Sequence, residues 1–473
     1  MKLLFINLCI RESCKPIPPV GLGYIMTSVH RAGWKFDFID IDLYRIKENE
    51  IKSILYKERY DVIAMGCIVT GYKYVKEMCD LIKDAREDTI IIVGNTVASS
   101  IPHILLNKTK ADIAVMGEGD ITIIELLDAI KCKRDLGNVK GICYRDGYKI
   151  VKTEERAVIK NIDEIPSVNW DLFDIEKYLE ISKFNTAKPY PIEFDKIRMM
   201  PLNVARGCAF KCTFCYHAFK GKKYRVRSPE VVIKEMESLK IKYNVNIICF
   251  WDELTFYSKK QCEEFVDCII KADLGIYYTA CCRPNLFNED DYELALKLKE
   301  SGCYGLEFSL ESADPEILKA MKKGTNADDF KRQTMVLQKA GIICWTSLVI
   351  GYPQETEETI RKTYECCLEC NIYPSTGYLL PQPGTPMYDY AKERGIITDE
   401  EQYLLLSGDR QDLRINLTNI SDEKLKETVK YYCKIVADKL NLGLDEKKLI
   451  KTDGAFIGIK SEQKSSPARA KRG

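Results

Sequence analysis

Met199-Met200-Pro201-Leu202-Asn203-Val204-Ala205-Arg206-Gly207-Cys208-Ala209-Phe210-Lys211-Cys212-Thr213-Phe214-Cys215 is the stretch on which the fold turns. Its first seven residues read as a buried strand, and three cysteines spaced x3 then x2 follow almost at once. A strand that delivers reactive side chains at its carboxyl end is the repeating unit of barrels with a site on that face. Downstream, apolar segments at 246–251, 276–281, 304–310, 342–350 and 376–380 read as five more strands. Helical periodicity near 229–243, 258–272, 289–301, 327–340 and 355–370 separates them. Six strand–helix units are too few for a closed eight-stranded barrel. An open, partial (β/α)6 barrel of TIM type is expected over 196–395.

Upstream, apolar runs at 2–8, 34–41, 62–65, 89–93 and 113–116 alternate with helical patterns at 21–31, 72–86 and 120–131. That alternation predicts an α/β, doubly wound, Rossmann-like sheet of flavodoxin type over 1–140, with ligands outside the carboxyl ends of its strands. The loops at those ends cover 9–15, Gly66-Cys67-Ile68-Val69-Thr70-Gly71, Gly94-Asn95-Thr96 and Gly117-Glu118-Gly119-Asp120. Glycine in three of the four lets backbone approach a bulky ligand, although glycine after a strand is common in any such fold. A hairpin turning at Asp146-Gly147 opens a connecting segment over 141–195, which contains Pro166, Pro189 and Pro191. Residues 396–460 read as a helical carboxyl-terminal region and 461–473 as a disordered basic tail.

Composition narrows the class. The chain has 473 residues, 46% hydrophobic and 30% charged, with a net charge of +1, so it offers no field to attract nucleic acid or an anionic membrane. No apolar run approaches a spanning helix, and no signal peptide is read at the start, so a cytoplasmic protein is expected. Twenty cysteines against three histidines are the outlier. In a reducing compartment most act as small hydrophobes, and their number points to an anaerobic, low-oxygen host. The CxxC of Cys366-Cys367-Leu368-Glu369-Cys370 is read in this way, as core-facing.

Cys208, Cys212 and Cys215 read differently. On one loop at a strand end they can converge on a metal centre. Structural zinc wants a fourth ligand, for which His217 stands close but cramped. Iron–sulfur clusters ordinarily take four thiolates, so three on a four-iron cluster leave one iron open for substrate.

The motif CxxxCx-aromatic-C, with Phe214 as the aromatic, resembles the signature of the radical S-adenosylmethionine (SAM) superfamily. The resemblance continues at Asp252 and Glu253 (expected near the SAM amine), Arg283 (suited to a carboxylate) and Ser309-Leu310-Glu311-Ser312 (whose Glu reaches the ribose). Ser309 stands where glycine is usual. Gly351-Tyr352-Pro353-Gln354-Glu355-Thr356 resembles the family's turn into a helix, and Pro383-Gly384-Thr385-Pro386 the segment that shapes its adenine pocket. Residues 1–140 resemble the cobalamin-binding domain of one large subgroup, at Pro18-Pro19-Val20-Gly21-Leu22-Gly23-Tyr24, Ile39-Asp40, Val93-Gly94-Asn95 and Gly117-Glu118-Gly119. The linker motifs Asp163-Glu164-Ile165-Pro166 and Trp170-Asp171-Leu172-Phe173 belong with them. Gly66, Thr70, Gly94, Asn95, Gly117, Glu118 and Gly119 are then the candidate cobalamin contacts. The DxHxxG motif that supplies a histidine below cobalt is absent, and Asn95 replaces the second of two glycines.

The resemblance implies a 4Fe–4S cluster, SAM and cobalamin as cofactors. It implies reductive cleavage of SAM to a 5′-deoxyadenosyl radical, used for cobalamin-dependent methylation of an unactivated carbon or phosphorus centre. Expected partners are a small-molecule or natural-product substrate and a reductant such as flavodoxin or ferredoxin, without nucleic acid or membrane. The alternatives are radical cyclisation or rearrangement; methylthiolation, with a second cluster on Cys9, Cys14 and Cys67; and a non-enzymatic cobalamin or iron–sulfur binding protein.

Overall fold

A computed structural model describes residues 1–219 and 224–451; the tail expected at 461–473 lies outside the described residues. Strands β1 (Leu3–Asn7), β2 (Asp37–Asp40), β3 (Val62–Gly66), β4 (Ile90–Gly94) and β5 (Ile113–Val115) are parallel, in the order β2-β1-β3-β4-β5. This is the flavodoxin order, whose ligand crevice opens where the strand order reverses, at the carboxyl ends of β1 and β3. Leu3, Leu4, Phe5 and Ile6 are all buried because helices cover both faces of a parallel sheet, which demands a continuous apolar run.

The hairpin β6 (Ile142–Asp146) and β7 (Lys149–Lys152) is no separate connector. It extends the same sheet antiparallel to β5, making seven strands. Ile142, Cys143 and Tyr144 are buried, so the hairpin gains an apolar face only by joining that edge. The segment expected to be a plain linker is likewise packed. Trp170 and Phe173 are buried in a core that runs without a break from Leu3 through the linker to Met200 and beyond. A Cβ on Gly23 would come within 2.7 Å of Val168 Cγ1, so that glycine admits the linker to the helix Val20–Arg31.

The second half starts with β8 (Met199–Leu202), followed by a two-residue ribbon of β9 (Ala205–Arg206) with β10 (Arg225–Val226). The expected single strand 199–205 breaks at Asn203. There the carboxylate of Asp252 accepts the amides of Val204 and Ala205 at 2.9 and 3.0 Å and turns the chain off the sheet. β11 (Ile247–Phe250), β12 (Tyr277–Cys281), β13 (Cys303–Glu307) and β14 (Ile343–Trp345) complete a parallel sheet in the order β14-β13-β12-β11-β8. The strand expected at 342–350 splits at Thr346, whose hydroxyl accepts the amide of Leu310 at 2.9 Å. Its second half, β15 (Ser347–Ile350), pairs with β16 (Ser375–Tyr378). A bridge between Glu311 and Leu348 joins the two sheets into an open, partial barrel. Cys366, Cys367 and Cys370 are buried in the core as expected. No helix among the described residues is long and apolar enough to cross a membrane.

Candidate functional site

All three motif cysteines lie on one excursion whose neck is the β9–β10 ribbon. Thr213, inside the motif, fastens the excursion to the barrel. Its amide donates to Met321 O at 2.9 Å and its hydroxyl to Ala320 O at 3.0 Å, and that hydroxyl lies 2.8 Å from Tyr352 Oη. The amide of Met387 donates back to Thr213 O at 3.3 Å. Segments after β13, β15 and β16 therefore converge on the cysteines. Gly384, at φ +86°, brings the Pro383–Thr385 turn against Tyr216, where an added Cβ would lie 3.2 Å from the ring.

Two cations flank the thiols. Arg283 is buried, stacks on Phe210 at 3.8 Å and holds Nη1 4.0 Å from Cys212 Sγ. Its Nε and Nη2 have no hydrogen-bond partner among the described residues. Lys323 pairs with Glu311 at 2.8 Å, both nearly sealed from solvent, and its ammonium lies 5.9 Å from the Phe214 ring centroid. Glu311 sits at φ +63°, a left-handed conformation rare for a side chain of this kind, so its carboxylate is aimed by an unusual backbone. Burial pushes the Cys208 and Cys215 thiols up, and for Cys215 the nearby Glu311 adds to the shift while Lys323 opposes it. Such thiols ionise when a metal takes the proton's place.

No three His, Cys, Asp or Glu side chains among the described residues are arranged to hold a single metal ion. The donor set fits a larger centre: three thiols on one loop, cations on two sides, and a partly unpartnered guanidinium facing in.

The expected SAM-side carboxylates divide. Asp252 is a structural pin, its Oδ1 taken by Val204 N, Ala205 N and Asn203 Nδ2 and its Oδ2 by Thr255 Oγ1. Burial pushes its carboxyl up to about 6. Glu253 lies exposed beside it, and partial desolvation pushes its carboxyl up. Ser309 is half-buried, two residues before Glu311.

On the first sheet, the loops after β3, β4 and β5 interlock. Val69 N donates to Thr96 Oγ1 at 2.8 Å, Val97 N to Cys67 O at 3.1 Å, and Gly117 N to Ser99 Oγ at 3.0 Å. Thr70 is half-buried in the first of these loops and Asn95, at φ +68°, is exposed in the second. A Cβ on Gly66 would meet nothing nearer than 3.7 Å, on Gly94 nothing nearer than 3.9 Å, and on Gly117 nothing within 4 Å. These absent side chains leave open space at three loops, which fits the close approach of a flat macrocycle such as cobalamin.

Glu118 and Gly119 depart from the expectation. Glu118 is buried and its carboxylate is consumed by Arg206, Arg225 and the amide of Ile159. A Cβ on Gly119 would strike Ile25 at 2.8 Å, so this glycine faces a helix rather than the floor. Of that trio only Gly117 borders open space. Arg206, Arg225 and Lys323 were missed in the sequence. Arg206 carried a signal, a lone charge between a buried strand and the first cysteine, but its partner lies 88 residues away.

Residues 202–367 match the model of the radical SAM superfamily, and residues 8–127 that of the B12 binding domain. The chain therefore carries a radical SAM domain preceded by a B12-binding domain, and this architecture implies an enzyme that uses a 4Fe–4S cluster, SAM and cobalamin. An uncharacterized methyltransferase of Pyrococcus horikoshii is 29% identical over 377 residues, covering 79% of this chain and 78% of that protein. An anaerobic magnesium-protoporphyrin IX monomethyl ester cyclase of Rubrivivax gelatinosus is 25% identical, covering 82% and 68%. Among solved structures, the radical SAM methyltransferase TsrM from Kitasatospora setae, with tryptophan substrate and a SAM analogue bound, shares the fold. Its TM-score is 0.67 at 20% identity, covering 83% of this chain and 76% of that one.

Proposed function

We propose that this radical SAM enzyme methylates an unactivated carbon or phosphorus centre of a small molecule with the help of cobalamin. The observation that carries the reading is the direct contact between the two cofactor regions: Glu118, in the loop after β5, bonds Arg206 at 2.8 Å, two residues before Cys208. The matches to methyltransferases support the choice of reaction.

When bound, the cluster would supply the electron that splits SAM, and cobalamin would supply methyl-group transfer. Cys208, Cys212 and Cys215 hold the cluster as thiolates. Arg283 offers two unpartnered donors to an anionic group such as the SAM carboxylate. Glu311, held by Lys323, would accept ribose hydroxyls, Glu253 would take the SAM amine, and Phe214, Ser309 and the turn at Pro383 would border the nucleoside. Gly66, Thr70, Gly94, Asn95 and Gly117 would bed the corrin on the first sheet. The protein works in the cytoplasm and takes its electron from flavodoxin or ferredoxin, without nucleic acid.

Radical cyclisation is the second reading, favoured by the similarity to the cyclase. Anaerobic reconstitution separates these outcomes. The expected result is one cluster, bound corrinoid, SAM cleavage and transfer of labelled methyl from SAM to product. Cleavage without methyl incorporation in the product would select cyclisation, and a protein that leaves SAM intact would end both readings.

A further inference from the structure

The neck of the cysteine excursion poses an electrostatic problem. In the β9–β10 ribbon Arg206 lies directly opposite Arg225. Like charges so placed repel and destabilise a pairing, and this ribbon is only two residues long. Residues 207–219, with all three cysteines, follow directly from its first strand. Among the described residues Arg225 Nε and Nη2 have no hydrogen-bond partner, so the ribbon does not neutralise itself.

Neutralisation comes from the other domain. Glu118 Oε1 accepts Arg206 Nη1 at 2.8 Å and Arg225 Nη1 at 2.9 Å, one oxygen bridging both cations. Asp120 takes Arg206 in a two-pronged pair at 2.9 and 3.0 Å. The four side chains sum to zero charge, and Glu118, Asp120 and Arg225 are almost wholly buried. Glu118 Oε2 also accepts Ile159 N at 2.7 Å, which ties in the interdomain linker. Opening a buried pair of this kind strands a charge, so the closed clamp is strongly favoured over any partly open one.

We infer that Glu118 and Asp120 are positioning residues by which the B12-binding domain closes the neck of the cluster loop. The inference rests on the reading of Cys208, Cys212 and Cys215 as cluster ligands. It gives the turn after β5 a task apart from corrin binding: the radical SAM half holds its cysteines in register only while docked on its neighbour.

Hydrogen exchange on the full-length, metal-free chain tests the clamp without the cluster, at the Arg227 amide that donates to Val204 O at 2.8 Å across the neck. Glu118→Gln, which keeps shape and loses charge, is expected to speed exchange there more than about tenfold. Glu118→Asp, which keeps charge and loses length, should stay within about threefold of the parent. Glu118→Gln combined with Arg225→Gln, which removes the opposed charge, should restore slow exchange. After reconstitution, iron should leave Glu118→Gln to a chelator about tenfold faster, and the double variant should recover.

Equal exchange in Glu118→Gln and the parent would overturn the inference. So would Asp damaging as much as Gln, no recovery in the double variant, or an open neck with unchanged iron retention. Should Glu118→Gln fail to fold, a folded double variant with a closed neck supports the clamp and an unfolded one refutes it. Failure of the cysteines as ligands would instead appear as iron retained after Cys→Ala, with neck exchange unaffected.

Discussion

At the carboxyl ends of β3, β4 and β5, a methyl group added at Gly66, Gly94 or Gly117 would meet nothing within 3.7 Å. Around Cys208–Cys215, by contrast, side chains with full charges crowd in: buried Arg283, Lys323 and Glu311 beside the thiols, half-buried Arg206 and buried Arg225 at the neck. One region is defined by what is missing, the other by ionic groups that must find partners. The difference matches the ligands proposed for the two regions. A wide, largely neutral macrocycle needs area and backbone proximity, whereas an anionic cluster and a zwitterionic SAM need charges fixed in a low-dielectric setting.

The contrast yields tests in descending size. Replacing Cys208, Cys212 or Cys215 with Ala is expected to abolish the brown absorbance and all SAM cleavage while corrinoid binding persists. Full cleavage in any one of them would remove that residue from the ligand set. Gly94→Val, at a φ of −123° that tolerates valine, should invert the pattern. Corrinoid retention on gel filtration should fall more than about tenfold, with iron content unchanged, since a few lost contacts of about 1.4 kcal/mol in sum suffice.

Lys323→Met leaves Glu311 buried beside the thiols without its counter-ion. A loss of about 3–5 kcal/mol is the usual consequence of breaking a buried pair, read here as a lower urea midpoint. SAM affinity should fall with it. An unchanged midpoint would mean that Glu311 already relaxes to solvent.

The smallest effect concerns Glu355, whose buried carboxyl accepts the Gly351 amide and is pushed up to about 7. The folded state therefore holds a proton that the unfolded chain releases near its ordinary value of 4.5. Its contribution to stability is present in full below about pH 4.5 and is lost as pH rises to about 7. Glu355→Gln should flatten the stability profile across that interval. A profile parallel to the parent's would show that Glu355 titrates normally.

Much of this was legible from local pattern. Leu3–Ile6 and Ile247–Phe250 are apolar runs that a two-sided sheet requires, and both form strands. Glycines after β3, β4 and β5 are plain in the sequence and leave open space in the structure, and CxxxCxxC needs no distant partner to be recognised. Less legible were the places where a strand stops. Nothing local at Asn203 reveals that Asp252 will take the next two amides, and nothing at Thr346 shows that its hydroxyl will hold Leu310. The hairpin at 142–152 was recognised as a hairpin, but its place on the edge of β5 depends on an apolar face meeting an unpaired strand.

Sequence alone determined the alternation of strands and helices, the two-domain plan and the candidate thiols. These follow from periodicity and residue chemistry, which act over a few neighbours. Tertiary structure decided which charges are spent internally. Glu118 looked like a ligand contact until Arg206 and Arg225, 88 and 107 residues away, were seen to occupy it. A carboxylate's role is set by whichever cation desolvation forces it to meet, and that meeting exists only once the domains have packed.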